Sequence, residues 1–234
     1  MAAGADLEGF RRAARGLIAD GIPPEDVVFA ATGEASLFAP SRDAEAAPFS
    51  LPRAAGDLIE TVVCHRDSQR YALLYALVWR IRQGERCLLE VHSDPLVHRL
   101  AMMNKSVRRD LHKMHAFLRF RRVEGETERY AAWFEPDHFI LRATAQFFVD
   151  RFRSLIWSIF TPDGSLHWDR ERLTHGPAGT TRDAPASDRF EEGWLGYYES
   201  TFNPARLNQT AMRAEMPKKY WRNMPEARAI PALV

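Results

Sequence analysis

Apolar residues recur along this chain first at helical spacing and then at a spacing of two. In "DLEGFRRAARGLIADGIPPEDVVFA", Phe10, Ala14, Leu17 and Ile18 repeat as on one side of a helix. Gly21 ends that helix, Pro23-Pro24 reset the chain, and "VVFA" reads as a strand. Residues 32–52, rich in Ala, Ser and Pro, read as a loop, and "GDLIETVVCHR" (56–66) fits either a short helix or a strand. "DSQRYALLYALVWRIRQGE" predicts a helix capped by Asp67 or Ser68 and closed by Gly84. In "SDPLVHRL", Asp94 caps and Pro95 opens a helix that runs to about residue 116.

Beyond that point the period shortens. "FLRFRRVEGETERYAAWFEP" predicts a β-hairpin turning at Glu124–Thr127, and "SLIWSIFTPDGSLHWD" a second one turning through Pro-Asp-Gly. Between them "DHFILRATAQFFVDRF" reads as a helix. Residues 174–188 form a long polar loop. "RFEEGWLGYYESTF" is a further helix ending near Asn203-Pro204, followed by a short helix and a Pro-punctuated tail. The expected fold is α+β, an antiparallel sheet built from two β-hairpins and packed against several helices. Residues 1–224 would form a single domain, with 225–234 as a tail or the start of an interdomain linker.

Composition changes this picture little: 46% hydrophobic and 27% charged residues in 234 are ordinary for a globular chain. Charge changes it more. The net charge is only +1, yet residues 98–122 hold Arg99, Lys105, Arg108, Arg109, Lys113, Arg119, Arg121 and Arg122 against Asp110 alone. Residues 1–60, in contrast, are acidic. Such asymmetry can mark an anion-binding face on a neutral protein.

On the helix that Pro95 opens, Leu100, Met103, Val107, Leu111, Met114 and Leu118 share one arc about 80° wide, the core side. Arg108, His112, His115 and Arg119 form a second stripe beside it, and Lys105, Arg109 and Lys113 continue the charge around the outside. Three readings compete: a solvated helix face, a phosphate-binding face in which arginine supplies bidentate forks, or a catalytic or metal site at His112 and His115. Those two are spaced i, i+3 and can face one ligand. No third ligand stands at a useful spacing and Arg108 and Arg119 would repel a cation, so no metal is expected.

Arg119 and Arg121 alternate with Phe120, a pattern that suits a basic, aromatic sheet face for single strands. A second basic block, "MRAEMPKKYWRNMPE", places Lys218, Lys219 and Arg222 around Tyr220 and Trp221, offering charge and base stacking together; a tail docked by those two rings is the alternative. His138 in "EPDHFIL" reads as a core-edge residue, and His167 with Asp169 in "SLHWD" as a turn contact.

Cys64 and Cys87 form no CxxC pair. There is no P-loop, GxSxG or HExxH motif, and "HRD" at 65–67 lacks the other kinase signatures, so no cofactor is expected. No apolar run near the N-terminus is long enough to span a bilayer. A soluble cytoplasmic protein, with no membrane partner, is expected.

At "VRRDLHKMHAFLRFR", "WFEPDHFILRATAQFF", "STFNPARL" and "AMRAEMPKKYWRNMPEA" the chain resembles a family of bacterial probable DNA metabolism proteins. Members of that family stand alone with a radical SAM partner or are fused N-terminal to a UdgX-type uracil-DNA-glycosylase-like domain. The resemblance covers nearly the whole chain but brings no catalytic residues with it. One departure is Phe139, where the family pattern has a second histidine. The resemblance implies a role in DNA metabolism; together with the basic stretches it leads to the expectation of a DNA-binding accessory module in repair or modification, with Arg108, Arg109, Lys113, Arg119, Arg121, Lys218, Lys219 and Arg222 read from the charge runs as its phosphate contacts. The alternatives are an enzyme using His112 and His115 as acid and base, and an adaptor for the glycosylase-like or radical SAM partner.

Overall fold

The computed structural model describes residues 4–29, 49–185, 218–221 and 224, with the backbone alone at 218 and 219. The fold is α+β, and the described residues fall into two compact units. One draws on residues 1–110 and 137–140, the other on 111–136 and 141–234.

The first unit is helical. It contains α1 (Leu7–Ala19), α2 (Arg53–Val62), α3 (Arg70–Arg82) and α4 (Pro95–Phe117) as far as Asp110. α3 packs against both α1 and α2, which is why its apolar residues run round most of its surface: Tyr71, Leu74, Tyr75, Leu77, Val78 and Ile81 are all buried. Its tyrosines satisfy their hydroxyls on backbone carbonyls, Tyr75 donating to Ile22 O at 2.6 Å and Tyr71 to Gly4 O at 3.2 Å. Asp94 Oδ1 caps α4 by accepting from Leu96 N (2.9 Å) and Val97 N (3.1 Å), with Pro95 in the first position. Gly84, at φ 111°, follows α3 with the backbone an L-residue rarely adopts.

Two local expectations resolve here. "GDLIETVV" is helical, its buried Ala55, Ile59 and Val62 lying on one side of α2. The strand expected at "VVFA" is not formed by its described residues 27–29: Val28 is 92% exposed, while the Phe29 ring docks on Phe10, Tyr71 and Tyr75. The apolar signal there belongs to one anchoring ring rather than to a pleated run.

The second unit is built on a sheet of five strands: β1 (Arg121–Val123), β2 (Arg129–Trp133), β3 (Ile156–Thr161), β4 (Gly164–Trp168) and β5 (Leu173–Gly176), in that spatial order. Three neighbour pairs are antiparallel and β2–β3 is parallel. A parallel pair needs a crossover connection, here supplied by α5 (Leu141–Arg151), which packs on the sheet through Phe148 against Trp157. Trp157, Ile159, Leu166 and Trp168 are buried on one side of the pleat, as period-two patterning requires. The expected sheet therefore gains a fifth strand and one parallel pairing. β5 takes three of its four residues, 174–176, from the stretch that reads as a loop in sequence; "LTHG" carries no apolar alternation, and it is held by its ladder to β4.

Candidate nucleic-acid interface and a histidine cluster

The buried side of α4 is wider than its apolar stripe. Leu100, Met103, Val107, Met114 and Leu118 are buried as expected and Leu111 is half-buried, but Asp110 (2% exposed) and Lys113 (7%) extend the buried arc to about 160°. The cause in the first unit is the segment 137–140, whose His138 backbone N–H donates to Asp110 Oδ2 at 2.9 Å. Lys113 is accordingly not on the outer, solvated side where its sequence position puts it. Lys105, Arg108 and Arg109 are exposed, and none forms an ion pair with a described residue. They occupy about 100° of the outward side of α4 and about 6 Å of its length. The single acid of α4, Asp110, is buried, so nothing on that helix offsets them.

The remaining predicted residues are distributed differently. His112 is exposed. His115 is half-buried, its Nε2 2.7 Å from Thr144 Oγ1 and its ring stacked on Phe147 at 3.8 Å and 14°. Burial pushes its pKa below the ordinary histidine value, helped by His112. Among the described residues His112 makes no side-chain hydrogen bond while His115 is tied to Thr144, an arrangement better suited to fixing a surface than to shared acid–base work. Arg119 Nη1 donates to Ala116 O (2.7 Å) and Leu118 O (3.2 Å), closing the end of α4. Arg121 donates to Pro185 O at 3.1 Å.

Tyr220 departs from its expected role. It is 2% exposed, stacked on Phe134 (4.9 Å, 12°) and Phe117 (5.7 Å, 29°), so its faces serve the core instead of bases. Trp221 is half-buried beside it in the helical turn Lys218–Trp221. Arg222 and the side chains of Lys218 and Lys219 lie outside the described residues.

Sequence reasoning passed over a cluster in the first unit. His65 and His138 stand with ring centroids 4.3 Å apart. Each accepts a backbone N–H at Nδ1, His65 from Asp67 (3.1 Å) and His138 from Arg66 (3.3 Å). Those donors assign the proton of each neutral ring to Nε2. His138 Nε2–H therefore donates to Ser106 Oγ at 2.7 Å and does not serve as the base that would activate it. The serine proton is left for another acceptor. Burial lowers the His65 pKa; Asp67 opposes this, and Arg99 and Arg70 add to it. Phe139, the residue replacing a histidine in the resembled pattern, lies under the Arg66 guanidinium (4.3 Å) and near that of Arg70 (5.3 Å). No third His, Cys, Asp or Glu joins the pair as a metal ligand among the described residues. The residue types were visible in "CHRD" and "EPDHF", but no spacing in one sequence links positions 73 apart.

His167 makes a smaller site on the sheet, bonded to Ser158 Oγ (2.8 Å) and Ser165 Oγ (3.0 Å), with its pKa lowered by burial. Asp169 instead accepts from Glu171 N and Arg172 N, so the two form no dyad.

The fold is α+β, and α4 carries three exposed cations, Lys105, Arg108 and Arg109, without an ion pair among the described residues. The chain belongs to the domain of unknown function family DUF4130, whose profile matches residues 68–226. His65 precedes that segment; Ser106, Arg108, Arg109, Asp110 and His138 lie within it. No curated protein and no solved structure matches the chain. Among the described residues, no helix is long and apolar enough to cross a membrane.

Proposed function

We propose that this chain is a nucleic-acid-binding accessory module, with the outer side of α4 gripping the phosphate backbone. The observation that carries the reading is the set Lys105, Arg108 and Arg109: exposed, free of ion pairs among the described residues, and on a helix whose single acid is buried. Two other arginines are neutralised by acids, the half-buried Arg80 by Glu85 and Asp94 and the exposed Arg99 by Asp67. A span of about 6 Å matches the reach of two phosphates along one strand. The two arginines can each present a planar fork to a phosphate.

The resemblance to bacterial DNA metabolism proteins supports DNA as the polymer and the cytoplasm as the place. In that role a uracil-DNA-glycosylase-like domain or a radical SAM protein would do the chemistry. The test is fluorescence anisotropy of labelled single- and double-stranded oligonucleotides at low salt. Charge reversal at Arg108 and Arg109 together should weaken binding at least tenfold, because each lost charge-assisted phosphate contact is worth about 1.5–3 kcal/mol. Unchanged binding by R108E/R109E would refute the reading.

A further inference from the structure

We propose that Phe147 is a stacking platform for an unpaired nucleobase, making single-stranded nucleic acid the preferred ligand; this rests on the nucleic-acid reading above. Four large apolar side chains are exposed among the described residues, Val28, Val91, Met102 and Phe147, and of these Phe147 alone is aromatic. It is 39% exposed, while Phe148 beside it on α5 is 1% exposed.

The ring is not loose. His115 lies parallel to it at 3.8 Å, Thr144 Oγ1 fixes that imidazole at 2.7 Å, and Phe148 meets the Phe147 ring edge-on at 5.2 Å. A ring already braced on one face loses little rotamer freedom when a ligand covers its exposed part. A flat, rigid, exposed π surface matches the face of a nucleobase, and such stacking tolerates any base.

Charge around the ring agrees with a nucleotide. Arg151 stands one turn further along α5, exposed and without an ion pair among the described residues. His112, exposed one turn before His115 on α4, adds a hydrogen-bonding side chain. The one acid of α5, Asp150, is already engaged by Gln146 Nε2 (2.9 Å) and Arg153 Nη2 (3.9 Å). In a duplex the base faces are stacked on one another, so the platform can act on unpaired bases only.

Anisotropy titrations separate the possibilities, using one labelled strand, its duplex, and the same strand made abasic. Phe147→Leu keeps the apolar bulk but removes the ring, and Phe147→Trp keeps a stacking face. Phe147→Leu should weaken single-strand binding about tenfold, leave duplex and abasic binding unchanged, and be rescued by Phe147→Trp. A silent Phe147→Leu, or an equal loss on all three ligands, overturns the platform. If Phe147→Leu is silent while R108E/R109E still weakens binding, the platform alone fails. If R108E/R109E is also silent, the phosphate-gripping helix fails with it.

Discussion

His65 and His138 lie against each other, ring centroids 4.3 Å apart, and each takes a backbone N–H at Nδ1. Protonating either ring at Nδ1 would expel that donor. Burial also holds His65 below its ordinary pKa; Asp67 opposes this, and Arg99 and Arg70 add to it. His115, His167 and His175 are lowered as well, burial being the first cause in each.

A pH dependence follows. A histidine with a lowered folded-state pKa binds fewer protons folded than unfolded just below its unfolded value of about 6.5. Stability is then full above that value and falls as pH drops through it. Urea midpoints should be lower at pH 5.5 than at pH 7.5, with His65→Gln flattening part of the difference. The carboxylates held below their ordinary values, Asp67, Glu85, Asp94 and Asp169, act in a separate, more acidic window. A midpoint that does not move between the two pH values would contradict the buried-histidine account.

Asp110 anchors the segment that carries His138. Removing its carboxylate leaves a buried backbone N–H without that acceptor, which costs about 1–3 kcal/mol. Asp110→Ala should therefore lower stability by that order in a urea titration, and Asp110→Asn by less because an oxygen acceptor remains. Equal losses would show that the charge, not the hydrogen bond, matters there.

Tyr220 tests the reassignment of the second basic block. As a core ring between Phe117 and Phe134, its truncation to alanine should cost about 3–5 kcal/mol. Tyr220→Phe should leave nucleic-acid affinity unchanged. A stable Tyr220→Ala that binds nucleic acid weakly would restore the base-stacking role.

Gly176 is tied to the His167 site by close approach. A Cβ there would collide with Ser165 Oγ and come within 2.9 Å of His167 Nε2. Gly176→Ala should displace the imidazole, seen as a shift of the His167 ring signals in NMR, and destabilise the β4–β5 pairing by about 1–3 kcal/mol. Unshifted ring signals would mean that the site yields without moving its histidine.

The helices were legible because their signals are local. Asp94 and Pro95 mark the start of α4, Gly84 follows the end of α3, and the apolar stripe of α4 is buried at five of its six positions. What could not be read depends on partners distant in sequence. Asp110 and Lys113 look like solvated charges until neighbouring chain covers them, and β5 becomes a strand only beside β4. The arginines proposed to hold phosphates were visible as a charge run, and exposure separates Arg108 and Arg109 from Lys113. The platform was not visible: Phe147 and Phe148 are adjacent identical residues, and only packing distinguishes the exposed ring from the buried one.

The central claim, that the outer side of α4 grips phosphates, is tested most directly by the salt dependence of binding. Three cations on a single strand predict a slope of log Kobs against log salt of about −2, since each contributes about −0.7. R108E/R109E should bring that slope to −1 or shallower, about −0.7 if the remaining cation alone still contributes. A slope that the double variant leaves unchanged, or binding indifferent to salt, would contradict the account.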